Sequence, residues 1–422
     1  METNQLIVML MIGVLCVCEN YSPVIDIVIF IILMALTLLS PIKMDFFMTI
    51  ECTFFDDVML YELTGSTAAR WMAMLTLLKI GLYFLKEKKG SVHREKLGIL
   101  LFYGITVVIG LYTNGLTGLL ASTVFNVVFI VSCSIYFSSG KMKVREIFNG
   151  LMYACLIATA FSGVYGILHW NFMEITNYGF IRFMGAMNDP NYAAAFWCIA
   201  LAIVMTNKNL LPTKTRILLG AMYTAYIFAT VSLMGNLCMV LMYFVFTVFA
   251  VKKTRGKQKR NACIAIVAVI IVGGAMLLPA FWKTGIGIRV QVLLPYLKEG
   301  NFDVVTSERT VINRSVVQAI FARDPMGILL GNGLSDMDVY CDELSKNVRA
   351  HNVYLQDLYG YGVIGGTIAI LYMLKKTISG SFLGENKDED IRKTMRAVRL
   401  CCLFCAMALM LTGRVYFAMF LL

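Results

Sequence analysis

The stretch from Arg349 to Gly366 reads RAHNVYLQDLYGYGVIGG, and it lies where a long polar segment meets a long apolar one. From Asn352 to Met373 the residues are mostly apolar, and about 20 helical residues suffice to cross the hydrocarbon of a bilayer. His351, one of three histidines in the chain, stands at this boundary. A helix that begins there would present unpaired backbone N–H groups and the positive end of its dipole, which favour an anion such as phosphate. The stretch therefore predicts a membrane helix with an anion-binding site at its N-terminus.

Composition predicts the same environment for most of the chain. Of its 422 residues 59% are hydrophobic and 15% are charged, with a mean hydropathy of +0.74. Soluble proteins average about 45–50% apolar and about 25% charged residues. The surplus falls in recurrent apolar runs, which predict an all-α, polytopic transmembrane bundle of about twelve spans. We expect transmembrane helices in residues 1–281, an extracytoplasmic cap in residues 282–351 and further transmembrane helices in residues 352–422.

Basic residues cluster in alternate short loops, at residues 86–96, 141–145, 208–216 and 252–260. The positive-inside rule places these loops in the cytoplasm, so the net charge of +11 indicates membrane orientation rather than nucleic-acid binding. Residues 171–188 and 283–349 then lie outside. The acidic segment Met44–Leu63 leaves two alternatives, a partly inserted helix or an external amphipathic segment, and we favour the external one because buried carboxylates are costly in lipid.

The long outer segment, residues 283–349, is expected to form an ordered and partly helical cap. Loops of this length are usually functional or disordered, and this one is not of low complexity. It holds eight basic and eight acidic residues, so it is no general anion-binding surface. Recognition of an anion there must depend on particular arginines.

The chain has 12 cysteines, almost all of them inside apolar runs. Cys402 and Cys405 form a C-x-x-C pair, which is often a redox or metal site. Here the pair lies in the middle of an apolar run without a second pair. We therefore interpret it as packing of small apolar side chains.

Three motifs resemble, in order along the chain, those of the O-antigen ligase and polymerase family. The first is RFMGAMNDPN at residues 182–191, directly before an apolar run. The second joins SER at residues 307–309 with DPMG at 324–327 and GNG at 331–333. The third and most specific is AHNVYLQ at residues 350–356, followed by GYGVIG at 360–365.

The resemblance implies a GT-C-like membrane glycosyltransferase in the bacterial plasma membrane, acting at its outer face. Such proteins take a glycan from undecaprenyl diphosphate and transfer it to an acceptor hydroxyl without a metal or another cofactor. Polymerisation of a surface polysaccharide is the favoured activity, and ligation to a lipid or cell-wall acceptor is the alternative. A flippase and a chain-length regulator are the protein partners that this activity implies.

The resemblance also implies roles for particular residues. Arg182 and Arg309 match family arginines and would hold the departing diphosphate, because arginine is always protonated and binds phosphate oxygens in pairs. His351 would accept the proton of the acceptor hydroxyl. The residues that we expect to assist in binding substrate are Arg349, Asn352, Gln356, Asn191 and Arg289. The alternatives are surface ion pairs for the arginines, with Glu174 or Glu308, and helix capping for His351.

Two features stand against a simple assignment. The family often has Ser-Arg-Gly at the end of a middle span, whereas Ser232 is followed here by Leu233, so that Arg182, Arg289 or Arg349 must substitute or the site is altered. Asp336 and Asp338 are similar to the aspartate pairs of metal-using glycosyltransferases, but such pairs are common in acidic loops and no metal is expected. A flippase of the same lipid-linked glycans is the competing class, although the two halves of the chain show no internal repeat.

Overall fold

Each apolar run is driven to form a helix because a backbone N–H or C=O group inside a bilayer must find its partner within its own segment. The computed structural model describes residues 3–55, 66–87, 94–114, 122–139, 142–175, 180–252, 282–333, 339–348, 350, 352–384, 387–408 and 414–422. Within these residues the chain is helical apart from turns and two short hairpins, so the predicted all-α class is confirmed.

Seven described helices form the first part of the protein. They are α1 (Thr3–Val17), α2 (Pro23–Leu39), α3 (Ile42–Cys52), α4 (Ala68–Glu87), α5 (Arg94–Asn114), α6 (Ser122–Ser139) and α7 (Val144–Leu168). Helix α2 begins where the Ser22 hydroxyl accepts a hydrogen bond from the backbone N–H of Ile25. Pro23 occupies the first helical position, where its missing N–H leaves no hydrogen bond unmade.

Helix α3 corrects the expectation for the segment 44–63. Residues 44–52 are all buried, and α3 packs against α1, α4 and α7. An external amphipathic helix would keep one face in water, so the favoured alternative is wrong for the described residues, which end here at Phe55. The buried carboxylate of Asp45 is paired with Lys79 of α4, at an Nζ–Oδ2 distance of 2.5 Å.

A hairpin and three helices follow α7. Strands β1 (Phe172–Ile175) and β2 (Phe180–Phe183) pair antiparallel, and the next helices are α8 (Pro190–Thr206), α9 (Thr213–Ala229) and α10 (Leu233–Lys252). Asp189 caps α8, because its side chain accepts a hydrogen bond from the backbone N–H of Asn191, and Pro190 is the first helical residue. A capped turn therefore precedes this helix.

Residues 282–348 contain the expected helical segments of the cap. They are α11 (Gly285–Lys298), α12 (Phe302–Val305), α13 (Arg309–Phe321) and α14 (Pro325–Leu330), with a hairpin of β3 (Val339–Cys341) and β4 (Lys346–Val348). Val316 and Ile320 of α13 pack with Tyr359. The Arg323 guanidinium lies 3.8 Å from the centre of the same ring. Apolar packing and this cation–π contact fasten the cap to the helix that contains Tyr359.

The last described helices are α15 (Val353–Ser379), α16 (Glu389–Ala408) and α17 (Arg414–Leu421). Helix α15 is kinked at Gly362, whose φ is 69°. A Cβ atom on Gly362 would lie 2.3 Å from the carbonyl oxygen of Leu329, and one on Gly331 would lie 2.3 Å from that of Gly360. The two glycine motifs therefore form one contact, in which the backbone of the cap touches the backbone of α15.

By length and composition, four described helices can cross a membrane, namely α4, α5, α7 and α15. Five shorter apolar helices, of 10–17 residues, accompany them. A helix of 17 residues rises about 26 Å at 1.5 Å per residue, which is less than the roughly 30 Å of hydrocarbon. The expectation of about twelve spans is therefore not supported by the described residues, and the apolar run at residues 263–281 lies outside them.

Replacing Gly362 by Ala is expected to destabilise the protein. The added Cβ would collide with Leu329, and a left-handed conformation strains a non-glycine residue by about 1–3 kcal/mol. The midpoint of thermal unfolding in detergent should fall. Gly104→Ala is the matched control, since nothing lies within 4 Å of a Cβ at Gly104 in α5, and alanine is the better helix former there. An unchanged midpoint for Gly362→Ala would contradict the backbone contact.

Candidate active site

The first motif folds into a short strand, a turn and the start of a helix, all held against α7. Gly185 in the turn has a φ of 62°, and a Cβ on Gly166 of α7 would lie 2.5 Å from its Cα. Asn171 donates from Nδ2 to the carbonyl oxygen of Gly185 at 2.8 Å. These contacts set the directions of β2 and α8, and thereby the positions of Arg182 and Asn191.

Arg182 points into the protein, with 6% of its surface exposed. Its Nε donates to the carbonyl oxygen of Thr230 at 3.0 Å, and its Nη2 donates to Asn191 Oδ1 at 3.1 Å. The same Asn191 oxygen accepts a hydrogen bond from Ser232 Oγ at 2.8 Å. One side-chain oxygen thus joins β2, α8 and the segment before α10. The surface ion pair considered for Arg182 does not match this buried position.

Arg289 reaches the same segment from the cap. Its Nη1 donates to the carbonyl oxygen of Val231 at 2.8 Å, and its Nη2 lies 3.5 Å from Ser307 Oγ. Val231 has a φ of 51°, which is unusual for a β-branched residue and costs about 1–3 kcal/mol. Strain of this kind is characteristic of functional sites, and here the strained residue supplies the carbonyl group that Arg289 binds.

Arg309 is the first residue of α13. Ser307 and Glu308 before it are both left-handed, with φ values of 53° and 65°, so the chain turns sharply into the helix. The Arg309 guanidinium interacts electrostatically with Asp189 and Tyr192, which lie on either side of the α8 N-terminus. Glu308, the alternative partner considered for Arg309, lies 3.7 Å from Lys346. Arg182, Arg289 and Arg309 together are called the arginine cluster below.

The arginine cluster carries an excess of positive charge. Burial, and then the nearby charge of Arg289, lower the pKa of Arg182 to about 10, while Asp189 opposes this change. Burial likewise lowers the pKa of Arg309, again against the opposing effect of Asp189. Arg182 still remains protonated near neutral pH. Among the described side chains of the cluster, Asp189 is the carboxylate whose charge acts on Arg182 and Arg309, and Arg289 adds a third cation near Arg182. This excess of positive charge favours an anionic ligand.

The other predicted site residues are either outside the described residues or make contacts away from the arginine cluster. His351 and Arg349 lie outside the described residues, so their roles stay predictions. Asn352 caps α15, because its Oδ1 accepts hydrogen bonds from the backbone N–H groups of the second and third helical residues. Gln356 is buried, and its Oε1 has no hydrogen-bond partner among the described residues. Neither side chain hydrogen-bonds to Arg182 in the described part of the chain.

The cysteines group differently from their spacing in the sequence. Cys405 does not pair with Cys402 but lies near Cys238 of α10, at an Sγ–Sγ distance of 3.6 Å, and Cys401 lies 3.9 Å from the same Cys238 sulfur. All are buried, as expected for cysteines that pack as small apolar groups. Asp336 and Asp338 lie outside the described residues, and the expected absence of a metal or other cofactor stays a prediction.

Two contributors to the site carried little signal in the sequence. Asp189 was not selected as a site residue, yet its charge acts on two of the arginines. Ser232 was noted for the arginine missing after it, whereas its hydroxyl links Asn191 to the backbone N–H of Gly235. A serine three residues before a glycine, at the start of an apolar run, is the pattern that could have indicated this capping role.

The comparisons with known proteins add no constraint. No protein-family model, no curated protein and no solved structure matches this chain.

Proposed function

We propose that this protein is a membrane glycosyltransferase that moves a glycan from undecaprenyl diphosphate onto an acceptor hydroxyl. The activity that we favour is polymerisation of a surface polysaccharide. The observation that supports it best is the clustering of three arginines from three separate segments: Arg182 and Arg309 lie near the N-terminus of α8, and Arg289 binds the segment before α10 beside Arg182. The first two sequence motifs supply Arg182 and Arg309, and Arg289 lies in the cap between them. Ligation to a lipid or cell-wall acceptor uses the same chemistry and differs in the acceptor alone.

The proposed reaction is a displacement at the anomeric carbon. A new bond forms between this carbon and the acceptor oxygen, and the bond to the diphosphate oxygen breaks. The acceptor proton passes to the imidazole of His351, and undecaprenyl diphosphate departs with the electron pair. Negative charge grows on the diphosphate, where preorganised guanidinium groups stabilise the transition state.

Arg289 would take the place of the arginine that the family often has after the serine. Leu233 stands where that arginine would be, and Arg289 donates to Val231, two residues away. A guanidinium from the cap then replaces one from the bundle. This assignment would leave a site with a full set of cations rather than a defective one.

The proposed activity also implies an arrangement of the protein in the membrane. A GT-C-like arrangement, with further spans beyond the helices long enough to cross the bilayer, would place the cap and the arginine cluster at the outer face of the bacterial plasma membrane. The lipid-linked donor, its acceptor, a flippase and a chain-length regulator are the partners that this placement implies.

Incubating the purified protein in detergent with lipid-linked repeat units tests the activity. Longer glycans, or glycans moved to an acceptor, are expected and require an enzyme, because a flippase needs two compartments to act. The reaction should continue in a chelator. Failure to form any glycosidic bond with a range of lipid-linked donors would contradict the proposal.

Arg309→Lys should keep the positive charge but lower turnover by about 10²–10³, because lysine cannot bind phosphate oxygens in pairs. The measurement is the initial rate of glycan transfer in detergent. Arg314→Lys is the control on the same helix, since Arg314 is half exposed and lies 3.4 Å from Glu343. Normal turnover of Arg309→Lys would remove this arginine from the mechanism.

His351→Ala should insert normally but lower turnover by about 10²–10⁴, the usual contribution of a positioned general base. Wild-type activity should rise as the pH increases through about 6–7, because an unperturbed imidazole loses its proton there and only the neutral ring accepts another. Nearby arginines would move this midpoint to lower pH. The alanine variant should lose the rising limb while retaining binding of the lipid diphosphate; wild-type turnover would make His351 an interfacial residue only.

A further inference from the structure

A cleft of about 500 Å³ opens between α5, α15 and α17, away from the arginine cluster. Its lining is mainly apolar and aromatic, and includes Phe102, Tyr103, Ile368, Phe417 and Phe420. A second hollow of about 460 Å³, lined in part by Arg94, Glu95 and Lys96, shares the lining residue Glu95 with the cleft. The two spaces together are called the lipid cleft below. An apolar space beside a polar one fits an amphipathic ligand.

The lipid cleft lies at the end of the bundle opposite the arginine cluster. Helix α8 begins at that cluster and ends near Asn209, whose side chain hydrogen-bonds to Asp390 at the start of α16. One turn of α16 further on, the backbone of Arg392 touches Gly380 at the end of α15. The second half of α15, which lines the cleft, therefore approaches this far end.

Positive charge exceeds negative charge around the lipid cleft. Glu95 accepts from Lys376 at 2.8 Å and from the Tyr372 hydroxyl at 2.9 Å, so one carboxylate serves both groups. Lys96 donates to the carbonyl oxygen of Leu421, and Arg94 and Lys375 are exposed at the walls. Among the described side chains that line the two hollows, Glu95 is the carboxylate that faces these four cations.

Arg399 adds a buried cation beside the cleft. It is 0% exposed and donates from Nε to Met419 at 2.5 Å and from Nη1 to Lys376 at 2.8 Å, in both cases to a carbonyl oxygen. Its Nη2 has no hydrogen-bond partner among the described residues. A buried guanidinium whose hydrogen bonds go only to carbonyl groups is costly, so an anion near this end of the bundle would lower the free energy of the folded protein.

We propose that the lipid cleft is a binding site for one anionic phospholipid, with an acyl chain in the apolar part and the phosphate between Arg94, Lys96 and Lys375. Basic pockets between membrane helices bind anionic head groups by this combination of charge and apolar burial. A free phosphate would satisfy the cations but leave the apolar part unfilled. The site is separate from the proposed reaction and does not depend on it.

Gly98 provides a direct test, because it lines the cleft and nothing lies within 4 Å of a Cβ placed on it. Gly98→Leu would place a larger side chain in the apolar part. Gly104→Leu, on the same helix, has equal room for a Cβ and lies outside the lining. The two variants therefore differ in whether the added side chain enters the cleft, and matching unfolding midpoints before lipid is added show that both fold.

The experiment measures lipid binding to delipidated protein in detergent by native mass spectrometry and by the unfolding midpoint. One molecule of phosphatidylglycerol should remain bound to each protein and raise the unfolding midpoint. Its affinity should be at least tenfold higher than that of phosphatidylcholine. Gly98→Leu should lower the affinity for phosphatidylglycerol at least tenfold, Lys375→Gln should abolish the preference for phosphatidylglycerol over phosphatidylcholine, and Gly104→Leu should bind as wild type does. Equal binding of both lipids, full binding to Gly98→Leu, or the same stabilisation by inorganic phosphate alone would each overturn the proposal.

Discussion

The carboxamide oxygen of Asn191 is the point on which the arrangement of the candidate site depends. It accepts hydrogen bonds from Arg182 and Ser232, which belong to the strand before α8 and the segment before α10. An acceptor shared in this way fixes both donors relative to the helix that carries it. Arg182 can then hold Thr230 as well, and the bent backbone at Val231 is left facing Arg289. The strain at Val231 persists because neighbouring bonds over-determine its position.

A second constraint joins the cap to the bundle. Gly331 and Gly362 meet backbone to backbone, while Arg323 lies over the ring of Tyr359. The cap therefore cannot slide along α15 without losing both contacts. Arg309, at the start of α13, is held by the same unit that positions the start of α15. The start of α13, which carries Arg309, and the start of α15 are in this way held together.

The sequence predicted the parts of this structure that follow from local chemistry. Apolar runs predicted helices, and helices occupy most of the described residues. Arg182, Arg309, Arg289 and Asn191 were all selected from the sequence, and their convergence is a structural result. The expected twelve spans are not supported by the described helices, because apolar length alone does not distinguish a helix that crosses lipid from one enclosed by other helices. Helix α3 shows this clearly, since Asp45 is tolerated there through its pairing with Lys79, a partner 34 residues away that no local pattern reveals.

The charges of the two ends of the bundle differ in a way that bears on their roles. At the arginine cluster, Asp189 lies among the cations and moderates them, so a bound anion need not be held permanently. At the lipid cleft, Glu95 is already engaged by Lys376 and Tyr372, and the buried Arg399 has one nitrogen, Nη2, without a hydrogen-bond partner among the described residues. A site that carries out the proposed reaction must release a charged product on every turnover, which partial compensation of its cations favours. A site that retains a lipid gains from the opposite arrangement, because a buried cation with an unpaired donor favours a bound anion.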